Sequence, residues 1–333
     1  MTRTTAPKIA VIGCGYWGTN HVRTLSQMGA LAAVSDSDHD RACDVASEFG
    51  VSALAPDAVM SADFIDGVVL ALPADQHPVL AKMALAARKH VLVEKPMALS
   101  VRDARSMVSL ADENACILMT GHILRYHGAF QRVASLVDAG AIGTVRHMQS
   151  NRLAFGNFHE RFDAVWDLCP HDLSLVMGLT DCAPDTLDAR MMRFAGLPCD
   201  AAHLHMTFGD GVSAHIHVSR HSAYRERRFS VTGSEGMIVW DDFAPWPEKV
   251  ALYTHEVWQE GGKTRFRLSD PDFQDLEPSQ PLAAELTHFR HCIETGQEPL
   301  TSGRRAVDVI SVLERASSGE SERSRPLHER REV

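Results

Sequence analysis

The chain has 333 residues, 45% of them apolar and 23% charged, which is enough for two domains with sizeable cores. Its formal net charge of −10 argues against nucleic acid as a partner, and an anionic cofactor would need positive groups supplied locally. Seven cysteines, at 14, 43, 116, 169, 182, 199 and 292, include no CxxC pair, and their odd number fits reduced thiols better than a disulfide framework.

Only eight residues precede the first apolar run, Ile9 to Ile12, so neither a signal peptide nor a membrane span is expected, and a cytoplasmic location follows. That run predicts a buried parallel strand. The periodicity then predicts a helix over 19–28, a strand over 31–36, a helix over 41–49 closed by Gly50, and strands over 67–72, 90–94 and 116–120. Helices over 78–88 and 101–114 separate the last three strands. Short apolar strands alternating with helices imply an α/β domain with a parallel sheet covered on both faces, ending near Gly121-His122.

The rhythm then changes. A helix over 130–139, a strand over 145–155 and a helix over 163–179 lead into strand-like segments at 186–194, 202–208, 212–219, 227–232 and 237–241. Strands in succession suggest a mostly antiparallel open sheet, and helices at 281–295 and 304–317 close an α+β domain. The expected division is 1–122, 123–317 and a loose charged tail over 318–333.

The first strand runs into Gly13-Cys-Gly15-Tyr-Trp-Gly18 and then a helix, the context in which GxGxxG signals a Rossmann dinucleotide site. Gly13 permits the turn, Gly15 admits the pyrophosphate and Gly18 lets helix and strand pack. Asp36, 18 residues after Gly18, is placed to accept the adenosine ribose hydroxyls and to repel a 2′-phosphate. That favours NAD, with NADP not excluded; Asp36 as a helix cap is the competing role, because Asp38 and Asp40 follow closely.

With the glycine loop, the segments Leu72-Pro-Ala-Asp-Gln-His77, His90-Val-Leu-Val-Glu-Lys-Pro96 and Trp166-Asp-Leu-Cys-Pro-His171-Asp172 resemble the Gfo/Idh/MocA oxidoreductases over most of the chain. Gly121-His-Ile-Leu-Arg-Tyr-His127 and Ser150-Asn-Arg-Leu153 look like members that handle nucleotide-linked sugars. The resemblance implies that Tyr16, Trp17, Leu72, Pro73, His77, Glu94 and Lys95 join the glycines and Asp36 around the cofactor. It further implies that Lys95 sits beside the nicotinamide and the reacting carbinol, with Asp167 and His171 reaching in from the second domain.

The residue chemistry agrees. Asp167 and His171, four apart, share a helix face, and an imidazole titrating near neutrality suits proton exchange. Lys95 closes a parallel strand, where open α/β sheets bind ligands. The expected roles are His171 as acid/base and Lys95 polarising the reacting oxygen, with Asp172 as an alternative to Asp167. Arg125, Tyr126, Asn151 and Arg152 are candidate substrate contacts, and the Lys95-Pro96 bond is a candidate cis peptide, as the family often shows.

A hairpin reading of 202–218 pairs His205 with His215 and His203 with His217, placing four imidazoles on the face away from the core. Zinc is the sharp reading of that cluster and subunit packing the bland one, and no metal is expected. The resemblance supports a homodimer or homotetramer through this sheet. The expected activity is thus an NAD-dependent sugar dehydrogenase. The rivals are an inositol or free-sugar dehydrogenase, a ketosugar reductase, and a non-catalytic NAD-binding sensor or corepressor.

Overall fold

The computed structural model describes residues 6–156, 158, 163–194 and 199–318; the expected tail from 319 onward lies outside them. The described residues form two compact units, one of those up to Tyr126 with Gln280–Ser311, the other of those within His127–Ser279 and from Val312 to Ser318.

The first unit begins β1 (Ile9–Ile12), α1 (Tyr16–Gln27), β2 (Leu31–Ser35), α2 (His39–Phe49), β3 (Ser52–Ala53), α3 (Pro56–Ser61) and β4 (Gly67–Leu70). It continues through α4 (His77–Ala86), β5 (His90–Glu94), α5 (Val101–Glu113) and β6 (Leu118–Gly121) to a 3-10 turn at Ile123–Tyr126. The six strands run parallel in the order β3-β2-β1-β4-β5-β6, so the order reverses between β1 and β4. β1 and β4 are buried along their whole length, as strands covered on both faces must be. Caps mark the helix ends: Asp38 accepts from the Arg41 N–H at the start of α2, and Gly50 closes that helix with φ +66°.

The second unit carries α6 (Gly128–Asp138), β7 (Val145–Phe155), α7 (Ala164–Thr180), β8 (Thr186–Met192), β9 (Ala201–Thr207), β10 (Ser213–Ser219) and β11 (His221–Gly233). β12 (Gly236–Asp241), β13 (Val250–Glu260), β14 (Lys263–Leu268) and β15 (Asp272–Phe273) follow, before α8 (Pro281–Thr295) and α9 (Gly303–Ser318). The sheet order is β14-β13-β12-β11-β7-β10-β9-β8, with β15 beside β13. Its pairings are antiparallel except that of β7 with β10. Helices α6 and α7 pack on this sheet.

Two expectations need correction. The segment 280–311, expected in the second domain, groups with the first unit, because Leu286 and Phe289 of α8 enter the core formed by Ile9, Val11, Val22 and Val34. The strand periodicity also missed β13 and β14, because residues 256–268 are almost wholly exposed and so carry no apolar face to alternate.

Candidate active site

In the first unit, the glycine loop has the geometry a dinucleotide requires. Gly13 has φ +100°, and a Cβ there would collide with the Ala71 carbonyl. A Cβ on Gly18 would collide with the Gly13 carbonyl, whereas one on Gly15 would meet nothing within 4 Å. The turn and the helix packing thus demand glycine at the outer positions, and the middle one stays open for a phosphate at the N-terminus of α1. Tyr16 and Trp17 stand exposed at that helix start, their rings 6.0 Å apart.

Asp36 follows β2. Its Oδ2 accepts the Cys14 N–H at 2.6 Å and its Oδ1 the Asp38 N–H at 2.9 Å, which fixes the carboxylate beside the glycine loop. Burial pushes the Asp36 carboxyl up, but these two N–H donors and the Arg41 guanidinium outweigh it and hold it below the usual carboxylate range. Asp38, and not Asp36, caps α2.

Leu72 and Pro73 follow β4, beside the point where strand order reverses. His77 corrects its expected role. It is wholly buried, with Nδ1 2.9 Å from the Pro96 carbonyl and Nε2 2.9 Å from the Leu72 carbonyl, so it ties the loops after β4 and β5 together and does not face a cofactor. Burial holds its imidazole below the ordinary value.

Lys95 follows Glu94 at the carboxyl end of β5, and the Lys95-Pro96 bond is cis. The Glu94 side chain accepts from two directions: Oε1 lies 2.8 Å from His21 Nε2 of α1, and Oε2 lies 3.2 Å from the Lys95 backbone N–H. Glu94 therefore braces the Lys95 backbone against the helix that opens at the glycine loop. Burial raises its carboxyl, and the hydrogen bond and charge of His21 together with Lys95 bring it below the ordinary value.

Two expected substrate contacts fall inside this unit. Tyr126 is a core residue: its hydroxyl lies 3.3 Å from Thr301 Oγ1, its ring packs on His288 at 5.6 Å, and burial pushes the phenol upward. Arg125 beside it is 7% exposed. Neither is placed for ready contact with a ligand in solvent. Both follow from the 3-10 turn at Ile123–Tyr126, which winds the motif inward.

In the second unit, Asp163 caps α7 by accepting the Trp166 N–H at 3.0 Å, and Asp167 and His171 follow one turn apart on one face. Asp167 Oδ2 accepts from Arg220 at 2.7 Å; Arg220 is 2% exposed and Asp167 25%. The buried guanidinium anchors the carboxylate while leaving it partly accessible. Asp172 points inward, where it takes two hydrogen bonds from Arg152, at 2.8 and 3.0 Å, and one from Ser150 at 2.7 Å. This ties α7 to β7 and occupies the carboxylate that was the alternative to Asp167.

Asn151 and Arg152 are consecutive on β7, so they lie on opposite faces. Arg152 shares the helix side with Asp172, whereas Asn151 donates to Glu226 at 3.0 Å on the side of His217. The strand's alternation separates the two expected substrate contacts.

That other face carries the histidines in the expected register, His205 opposite His215 and His203 opposite His217. The rings stack, with centroids 4.3 Å apart in the first pair and 4.0 Å in the second. His203 Nδ1 lies 3.1 Å from His215 Nε2. Burial and neighbouring imidazoles lower His215 to about 4. No His, Cys, Asp and Glu cluster suited to a metal ion occurs among the described residues.

The partners Arg220 and His21 were not found from the sequence. Each is joined to its carboxylate across more than fifty positions, 53 for Arg220 and 73 for His21, and only a charged residue ending an apolar strand hinted at the first.

Comparison with known proteins bears on both units. Residues 7–122 match the model of an oxidoreductase family with an NAD-binding Rossmann fold, and residues 130–239 match the GFO/IDH/MocA C-terminal domain. The chain is 32% identical over 291 residues to UDP-N-acetylglucosamine 3-dehydrogenase of Acidithiobacillus ferrooxidans, covering 86% of this chain and 88% of the relative. It is 26% identical over 345 residues to D-xylose 1-dehydrogenase (NADP+) of Haloarcula marismortui, covering 95% and 91%. A solved structure of the Acidithiobacillus ferrooxidans enzyme, GnnA, aligns with TM-score 0.81 at 27% identity over 94% of this chain and 97% of that one.

Proposed function

The chain belongs to the Gfo/Idh/MocA family of oxidoreductases acting on CH–OH groups, and from that premise we propose that it moves a hydride between NAD and a ring carbinol of a nucleotide-linked sugar. The observation that supports the reading is made within each unit by itself: Lys95 is braced through Glu94 after β5, and Asp167, one turn from His171 on α7, is anchored by Arg220. NAD supplies the hydride acceptor, and the chain handles position and protons.

Lys95 hydrogen-bonds the reacting oxygen and polarises it. His171 takes its proton on oxidation and returns it on reduction. Asp167, held by Arg220, binds neighbouring sugar hydroxyls and orients the imidazole. Support for NAD over NADP comes from Asp36, whose fixed negative charge beside the loop disfavours a 2′-phosphate. Support for a nucleotide-linked sugar comes from the 32% identical relative, which acts on UDP-N-acetylglucosamine.

A second copy of the chain is the partner that the open sheet face fits, giving a homodimer or homotetramer. The histidine ladder is continuous there with Met237, Val239 and Tyr253, apolar side chains that the helices leave uncovered. No helix among the described residues is long and apolar enough to cross a membrane.

The test is an absorbance assay of NADH or NADPH formation with UDP-, GDP- and dTDP-sugars, free aldoses and inositols. The expected outcome is turnover with a nucleotide-linked sugar and NAD. Turnover confined to free sugars or inositols would move the substrate class. Tight NAD binding with no hydride transfer to any of them would favour a sensor.

A further inference from the structure

A nucleotide-linked sugar carries a diphosphate, and Arg152 is already engaged by Asp172. A chain of net charge −10 must gather positive groups where such an anion is to bind. It gathers them on the helix side of the sheet in the second unit. Helix α6 packs on β12 and β13, and α7 on β7, β9 and β10, so β11 runs between the two helices. Arg227 of β11 stands directly opposite Arg152 of β7, and residues paired in this way share a face. Arg227 is therefore next in line after Arg152 and its partner Asp172, the neighbour of His171 on α7.

The start of β11 adds a further cation. Between the pairs His221–Phe155 and Glu226–Leu153, residues 222–225 stand opposite Ala154 alone. A bulge of that kind re-aims side chains. Here Arg225 meets the same ring as Arg227: their guanidinium carbons lie 4.9 and 5.7 Å from the centre of Phe243, in the turn after β12. Arg225 is exposed and has no ion pair among the described residues. Arg227, its side chain 49% exposed, has only Asp242 at 3.7 Å, a carboxylate that Lys249 approaches at 3.5 Å and His127 at 3.9 Å. Glu226, between the two arginines, faces the other way and meets Asn151 and Arg228. Arg152, Arg225, Arg227 and Lys249 thus share two carboxylates, Asp172 and Asp242. Partial burial first, and the Arg152 charge second, hold the Arg227 guanidinium below its ordinary value.

We propose that Arg225 and Arg227, held against the Phe243 ring, form the subsite that binds the diphosphate of a nucleotide-linked sugar whose pyranose lies toward His171. Guanidinium forks match pairs of phosphate oxygens, and a ring behind them fixes their planes without consuming a hydrogen-bond donor. The diphosphate supplies the negative charge that this group of cations lacks. The subsite rests on the substrate class proposed above; the affinity for a diphosphate does not.

The experiment titrates UDP, GDP and dTDP into the full chain by calorimetry, with NAD saturating so that the dinucleotide site is filled. The variants are Arg225→Gln, the double variant Arg225→Gln with Arg227→Gln, and Arg265→Gln on the exposed β14 as a control for lost charge. The parent should bind at least one of the three. The single variant should weaken that binding by about tenfold and the double variant by about a hundredfold, with Arg265→Gln unchanged. Undiminished affinity in the double variant, an equal loss in Arg265→Gln, or no binding of any of the three to the parent overturns the subsite. Turnover of a nucleotide-linked sugar gives a second readout. The double variant should raise its KM by about tenfold or more with kcat within about threefold and KM for NAD unchanged, because the contact is made equally in ground and transition states. A fall in kcat at unchanged KM overturns the role. If the double variant does not fold, Arg225→Gln decides alone. Turnover confined to free sugars would instead remove the substrate class proposed above, and the calorimetry would still decide whether the arginines bind a diphosphate.

Discussion

Asp36 shows how far one residue can be understood from its neighbours. Spacing alone marked it as the ribose acceptor and left helix capping as a competing role. The fold gives the cap to Asp38 and ties both Asp36 oxygens to backbone N–H groups. Replacing Asp36 with Ala should weaken NAD binding by about tenfold, on the scale of one to two charge-assisted hydrogen bonds. It should also raise the use of NADP relative to NAD. Titration of either cofactor against intrinsic fluorescence checks this, and unchanged NAD affinity would free Asp36 from that role. Local chain geometry was legible in this way: the turn at Gly13, the close packing at Gly18, and the one-turn spacing of Asp167 and His171 on α7. His77 and Tyr126 were not, because a motif does not say whether its side chain turns toward solvent or core. Both turned inward, His77 to bridge two carbonyls and Tyr126 to pack on His288.

At the scale of elements, the register of the β9–β10 hairpin was legible in the sequence, with the strand ends displaced by one residue and Val212 left outside the strand, only partly buried. Leu204, Met206, Ala214, Ile216 and Val218 are buried, and the histidines between them face outward in register. Stacking these rings has a consequence for acid stability. His203, His215 and His217 are all held below the ordinary imidazole value, by burial first and by a neighbouring imidazole second, that of His205 for His203 and His215 and that of His203 for His217. The fold keeps them neutral where the unfolded chain would protonate, so their contribution is present above the unfolded value and is lost as pH falls through the window down to about 4 for His215. His215→Asn should therefore flatten the fall in Tm between pH 7 and pH 5; a fall as steep as the parent's would show that other groups govern it. Elements without an apolar face resisted prediction. β13 and β14 form an exposed ribbon in which Val257 is 67% and Phe266 79% accessible, so no periodicity distinguished them from loop.

At the scale of the whole molecule, alternating strands and helices give way to successive strands after Tyr126, where the chain passes from the first unit to the second. The return of 280–311 to the first unit was not legible. Its cause is long-range burial of Leu286 and Phe289 against β1, α1 and β2, and nothing in the local pattern of α8 names that partner. The uncovered sheet face predicts self-association that weakens as the histidine ladder gains charge, because desolvating several imidazolium groups in one interface is unfavourable. Light scattering from pH 8 to pH 5.5 should show the assembly shifting to smaller species. A single assembly state across that range would remove the ladder from the interface.

The proposed reaction requires both Lys95, which follows β5, and His171, on α7. Steady-state turnover of Lys95→Ala and His171→Ala, measured beside NAD binding on the same preparations, tests this directly. Each variant should lose about a hundredfold or more in kcat while binding NAD as the parent does, on the usual scale for acid–base groups. Near-normal turnover in either variant would contradict the account.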